Sequence, residues 1–270
     1  MNRHLKKFKL DKPLHNLFPW KHFKGYDNLE FRNMQHFINI VGELQQKRDT
    51  MCGISYEDAF KQLRNRTPRI SPSKQKSIRN LVKQNLHKRG LLSEEIYENF
   101  KYAEDGTCVG IDVGKYAAGE PDCIISPNRH YVDFFYELFI NISYPYGVLD
   151  QTVVNNAAKL LATIEELERQ HIFIKITLVL PVKEPAMGRN MFLSIPVFDH
   201  REYKDVGVMS SVFNERLLRK FVFAVMEDLY GSDLYSNYGK AVTLTEAINL
   251  GRELNEIEIF ENIRKSVGIK

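Results

Sequence analysis

Apolar residues recur at helical spacing over 29–50, where Phe31, Met34, Phe37, Ile38, Val41 and Leu44 predict an amphipathic helix. Ser55, with Asp58 three residues on, reads as the N-cap of a second helix carrying Phe60 and Leu63 on its apolar face. That helix has to stop before Pro68. Pro68 and Pro72 each remove a backbone donor and restrict the residue before them, so 67–72 reads as a loop. A third helix is predicted from Ser73 to His87, ended near Gly90, with a narrow apolar stripe of Ile78, Leu81, Val82 and Leu86. Residues 93–106 read as a short acidic helix and a turn, and 110–122 are rich in turn residues.

The pattern changes at Tyr131. Residues 131–143 predict an aromatic and β-branched strand, 150–170 a strong helix, 171–180 a strand with near alternation, 190–198 a third strand and 215–229 another helix. From Thr245 a last helical segment is expected. Strand, helix, strand, strand, helix predicts an α/β layered fold. The expected division is a basic, mainly helical N-terminal part, 1–106, followed by an α/β domain, 107–270.

Charge sharpens that division. Residues 1–92 carry 20 Lys/Arg against 7 Asp/Glu, while 93–270 carry 18 against 27. Ten of those cations lie between Lys61 and Leu92 without one acid: Lys61, Arg64, Arg66, Arg69, Lys74, Lys76, Arg79, Lys83, Lys88 and Arg89. Such a stretch repels itself unless something negative lies against it, and a nucleic-acid backbone is the commonest such partner. A merely solvated helix face normally intersperses both signs, because i,i+4 pairs help the helix; no pairing of that kind is available inside this stretch. Lys76, Arg79 and Lys83 can be neighbours on one face, forming a ridge that tracks a phosphate backbone. Trp20, Phe23 and Tyr26 sit among Lys21, His22 and Lys24, an interleaving that suits stacking on exposed bases. A lone Trp with neighbouring Phe is usually packed, so the same rings also read as the small core of the basic half.

Other chemistry is thinner. Cys52, Cys108 and Cys123 are an odd number without CxxC spacing, so neither a disulfide framework nor a zinc site is indicated, and a reducing cytosol fits. The basic N-terminus lacks the apolar run of a signal peptide, and no apolar run approaches membrane-spanning length, which predicts a cytoplasmic protein. Glu120 and Asp122 invite a metal-dependent nuclease reading, but its second half is missing: Phe173 stands two residues before Lys175 and Pro181 two before Lys183. No Gly-Lys-Ser/Thr phosphate loop and no Gly-x-Ser-x-Gly elbow occur. Arg219 and Lys220 form a secondary basic spot that reads as a solvated helix face.

The segment 131–230 resembles a von Willebrand factor A domain of the degenerate kind found in a family of phage proteins. The resemblance rests on Asn141, Ser143 and Pro145 at the end of the first strand, on 155–158 and 160–168 in the following helix, and on 172–176 in the next strand. It continues at 217–227, with 109–114 and 119–123 as a lead-in and Trp20, Gly25 and Tyr26 as an N-terminal signature. Members of the larger superfamily hold a divalent metal with an Asp-x-Ser-x-Ser loop. Here Asn141 supplies a neutral amide and Pro145 no side-chain oxygen, so a von Willebrand A-like sheet without a metal site, serving as a scaffold, is expected. Among phage proteins of this type, the chain resembles the single-stranded-DNA-binding early transcription activators of enquatrovirus-type podophages. That resemblance implies binding to single-stranded promoter DNA, recruitment of a phage RNA polymerase and residence in the host cytoplasm.

The expectation is therefore a non-enzymatic protein without cofactor. Arg64, Arg66, Arg69, Lys74, Lys76, Arg79, Lys83, Lys88 and Arg89 would grip phosphates, Trp20 and Tyr26 would stack on bases, and the acidic half would meet a protein partner. The rival is an interaction scaffold of von Willebrand A type that touches no nucleic acid.

Overall fold

The structure, a computed structural model, describes residues 27–44, 55–65, 70–92, 100–102, 110–111, 113–119, 124–127, 133–144, 147–184, 189–204, 220–222, 224–225, 228, 244 and 247–269. In chain order its elements are β1 (Asp27–Glu30), α1 (Met34–Gly42), α2 (Tyr56–Arg64), α3 (Pro72–Lys88), β2 (Phe100–Tyr102), β3 (Gly110–Ile111), α4 (Val113–Ala117), β4 (Ile124–Pro127) and β5 (Phe134–Asn141). Then follow α5 (Asp150–Arg169), β6 (Ile172–Glu184), β7 (Arg189–Phe198), β8 (Ile248–Asn249) and α6 (Glu256–Ser266).

The chain adopts the layered α/β class that its pattern predicts, of Rossmann-like type. A five-stranded sheet runs in the order β1-β7-β6-β5-β8. Three of its pairings, β1–β7, β5–β6 and β5–β8, are parallel, and β6–β7 is antiparallel. A separate antiparallel sheet has the order β2-β4-β3.

Period-two alternation gives the main sheet two unlike faces. Leu138 and Ile140 of β5, Ile174, Ile176 and Leu178 of β6, and Leu193 and Ile195 of β7 are buried in one large core cluster with α1, α2, α3, α5 and α6. The other face carries Phe135, Glu137 and Phe139 beside Phe173, Lys175 and Thr177. Glu137 accepts a hydrogen bond from Thr177 at 2.9 Å and pairs with Lys175 at 3.0 Å.

Helix α5 lies against β6, α3 and α6. Val153, Ala157, Leu160, Leu161, Ile164 and Leu167 are buried along it, and the amide of buried Asn156 donates to the carbonyls of Leu250 and Arg252 at 2.8 and 2.7 Å. Helix α3 packs its narrower stripe, Val82 and Leu86, on α5 and α6, while Ile78 meets Ile70, Val154 and Ala158. The 1–106 and 107–270 division therefore separates charge and not core, because Phe37, Leu63 and Leu86 share one cluster with Leu160 and Phe260.

Several elements differ from their sequence reading. The helix expected over 29–50 is preceded by β1, whose hydrogen bonding is extended by Phe31 N–H donating to Ser194 O at 2.9 Å, and α1 begins only after Asn33, whose side chain accepts from His36 N at 2.9 Å. Within the helical segment expected from Thr245, residues 248–249 form β8, which pairs with β5, and α6 begins only after its Asn255 cap. Of the helix expected over 215–229, residues 220–222, 224–225 and 228 are helical, and the rest lie outside the described residues, as do 93–99.

Candidate nucleic-acid interface

Helix α3 is set by its punctuation. Ser71 caps it, its hydroxyl accepting from Lys74 N at 3.3 Å. Pro72 occupies the first turn, where its missing donor costs nothing. Gly90, at φ +68°, ends it in the left-handed conformation that glycine adopts without strain. The reading of 73–87 as a helix ended near Gly90 is within one residue at each end.

One side of α3 is fixed to the molecule. Arg79 pairs with Glu165 of α5, Asn85 donates to Glu256 Oε1 at 2.8 Å, and the carbonyl of Leu91 accepts from Gln170 Nε2 at 3.1 Å. This corrects the expected ridge of Lys76, Arg79 and Lys83: Arg79 turns inward and joins α3 to α5. Leu81, assigned to the apolar stripe, is 47% exposed and stands on the open side.

The open side carries Lys74, Lys76, Lys83 and Lys88, with Arg89 just beyond, all exposed and in no ion pair among the described residues. A turn of 3.6 residues places Lys76 and Lys83 on one flank, about 10.5 Å apart along the axis, and Lys74 and Lys88 on the other. Between the flanks stand Ser73, Ser77, Asn80 and Gln84. Asn80, Lys83, Gln84, His87 and Lys88 line a shallow, open concavity. On α2, Ser55 is the expected N-cap, accepting from Asp58 N at 3.0 Å, while its hydroxyl, rather than its backbone N–H, donates to Asp58 Oδ2 at 2.7 Å. Arg64 is exposed at its end. Lys61 is paired after all, with Glu57 one turn upstream at 3.0 Å, and this hydrogen bond raises its pKa.

Arg66, Arg69, Trp20 and Tyr26 lie outside the described residues, as do Glu120, Asp122 and the three cysteines. Lys220 is not on a solvated face: it is completely buried. No helix among the described residues is long and apolar enough to cross a membrane. Asn141 and Ser143, at the end of β5, are buried and hydrogen-bonded to each other, Ser143 N donating to Asn141 Oδ1 at 2.9 Å. Neighbouring Asn249 Oδ1 accepts from Gly251 N at 2.9 Å. These amide oxygens hold the turns that follow two parallel strands.

A second surface was not singled out from sequence. On the sheet face away from α5, Phe135 is 51% exposed and stacks on Phe173 with ring centroids 6.0 Å apart. The Arg201 guanidinium lies over both rings at 5.6 and 5.5 Å and pairs with Asp133. His200 meets Phe135 edge-on at 5.3 Å, and Tyr203 is exposed beside them in sequence. Buried Lys204 anchors this turn, donating to the carbonyls of Asp199 and His200 at 3.1 and 2.6 Å and meeting Glu168 of α5 at 2.6 Å. The signal was present in the strand pattern: Glu137 shares a face with Phe135, so that face is not uniform core.

A family model described as a domain of unknown function, DUF7192, matches residues 21–267. The chain belongs to the DUF7192 family. The match takes in both α3 and the complete five-stranded sheet, so the basic helix and the α/β layer are parts of one DUF7192 unit, in keeping with their shared core. No curated protein and no solved structure matches the chain.

Proposed function

We propose that the protein is a non-enzymatic single-stranded-DNA-binding protein that grips phosphates with the open side of α3 and brings an RNA polymerase to promoter DNA. One observation carries the DNA part: Lys74, Lys76, Lys83, Lys88 and Arg89 are exposed on a helix without an acidic residue and none is neutralised by a described neighbour. Each phosphate contact releases condensed counterions, so such a face binds polyanions in a strongly salt-dependent way. Single strands are favoured by the resemblance in the sequence, and the polymerase as partner rests on that resemblance together with the acidic C-terminal half. Filter binding of the full chain to a single strand and to a duplex of the same sequence, at several salt concentrations, tests this reading. Tighter binding of the single strand, weakening steeply with salt, is expected; no binding to either at low salt, or tighter binding of the duplex, overturns it.

The scaffold reading has its own supporting observation in the Phe135, Phe173, Arg201 and Tyr203 surface, since exposed aromatics and arginine are the residues that anchor protein interfaces. DNA binding by the wild type at low salt overturns the scaffold reading, and a Phe135→Ala, Arg201→Ala variant is then expected to leave that binding unchanged.

A further inference from the structure

The polar groups on the open side of α3 are not evenly spread. Asn80, Lys83, Gln84, His87 and Lys88 line the concavity, and each lies three or four residues from another, so they form one continuous patch over the second half of the helix. No carboxylate lines it, and every one of these side chains can offer an N–H donor. Asn80 and Gln84 are exposed and have no hydrogen-bond partner among the described residues, whereas Asn85, on the docked side, is held by Glu256. Two carbonyls of the last turn are already taken, since Gly90 N–H donates to His87 O at 2.9 Å and Leu91 N–H to Leu86 O at 3.1 Å, which blunts the negative end of the helix.

We propose that this concavity seats one phosphate of the bound strand, held by the amide N–H groups of Asn80 and Gln84 between the Lys83 and Lys88 ammonium groups, an inference that rests on the single-stranded-DNA reading of the same face. The free oxygens of a phosphodiester only accept hydrogen bonds, and neutral amides serve as phosphate donors alongside lysine and arginine. Lys83 and Lys88 stand about 7.5 Å apart along the axis and on opposite flanks, so neither alone centres a phosphate on the helix. The two amides between them supply donors at that centre. The remaining exposed cations then take a different part. Lys74 and Lys76, toward the start of α3, and Arg89, beyond its end, meet the neighbouring phosphates as the strand passes through the seat. Such a seat fixes the position of the strand and carries no base preference.

Full-chain protein is titrated with an oligothymidylate and with a strand of the same length whose sugars carry no bases, each at several salt concentrations. Asn80→Ala with Gln84→Ala is expected to weaken both strands by the same factor, about tenfold, as two hydrogen bonds to a charged group provide. Both salt slopes are expected to stay unchanged, because no cation is lost. Lys83→Ala with Lys88→Ala is expected to weaken both strands and to flatten both slopes by about 1.4. An amide double variant that binds both strands as tightly as the wild type, or that loses affinity only for the strand with bases, overturns the phosphate seat and leaves lysine gripping standing. Wild-type binding confined to the strand with bases overturns the seat as well, and absence of binding to either strand at low salt overturns both readings. Circular dichroism melts identify loss through unfolding, and Gln84→Ala alone, expected to weaken both strands about threefold, gives the same reading if the double variant melts early.

Discussion

Helices α3 and α5 lie side by side in one layer, yet they spend their side chains in opposite ways. Twelve of the 20 residues of α5 are buried, because the sheet covers one of its sides and α3 with α6 the other. Of the 17 residues of α3, two are buried. The difference shows how a basic helix can be rigid without hiding its charges: a narrow stripe, one ion pair to Glu165 and one amide contact to Glu256 fix it, and the rest of its circumference faces solvent.

The comparison breaks most severely at the stripe. Leu86→Ala removes a completely buried side chain between α3 and the core and is expected to cost about 2–5 kcal/mol in denaturant unfolding, whereas Leu81→Ala on the same helix should stay within about 0.5 kcal/mol. Equal losses at the two positions would mean that α3 docks by a different face. The next largest contrast is between two cations four residues apart. Arg79→Ala is expected to lower stability by about 1 kcal/mol, since it breaks a partly buried pair and leaves Glu165 without its partner. Lys83→Ala should leave stability nearly unchanged and reduce the log–log salt slope of single-strand binding by about 0.7.

The smallest expected effect lies on the far face of the sheet and serves as a control for both helices. Burial raises the pKa of the Glu30 carboxyl, Lys175 opposes that shift and Glu137 adds to it. The folded chain thus holds this proton to higher pH than the unfolded chain does, and stability is lost as pH rises from the ordinary carboxylate value through the folded one. Glu30→Gln is expected to raise Tm slightly at pH 7 and to leave it unchanged at about pH 3, where both states carry the proton; DNA affinity should not respond.

What the sequence made legible follows where local chemistry decides. Ser71, Pro72 and Gly90 bound α3, and Ser55 with Asp58 starts α2, because caps and proline act within a few residues. Distant partners were not legible. β1 is four residues without alternation, and it is a strand only because β7, far along the chain, lies parallel to it. Arg79 sits at the edge of its helix's apolar stripe, where periodicity cannot say whether a guanidinium turns outward or inward; Glu165 decides it, 86 residues on. β8 is two residues long, too short to carry a pattern. The Phe135 and Arg201 surface needed three strands and a turn to assemble, and aromatic residues in a strand read first as core.

The central claim is that the open side of α3 neutralises a polyanion while its other side holds it to the α/β layer. The most direct test is the salt dependence of single-strand affinity for the wild type and for a Lys74→Ala, Lys76→Ala, Lys83→Ala, Lys88→Ala variant whose melting curve matches the wild type. A slope flatter by roughly 2–3 units, with affinity lost most at low salt, is the predicted result; an unchanged slope in the folded variant would contradict the account.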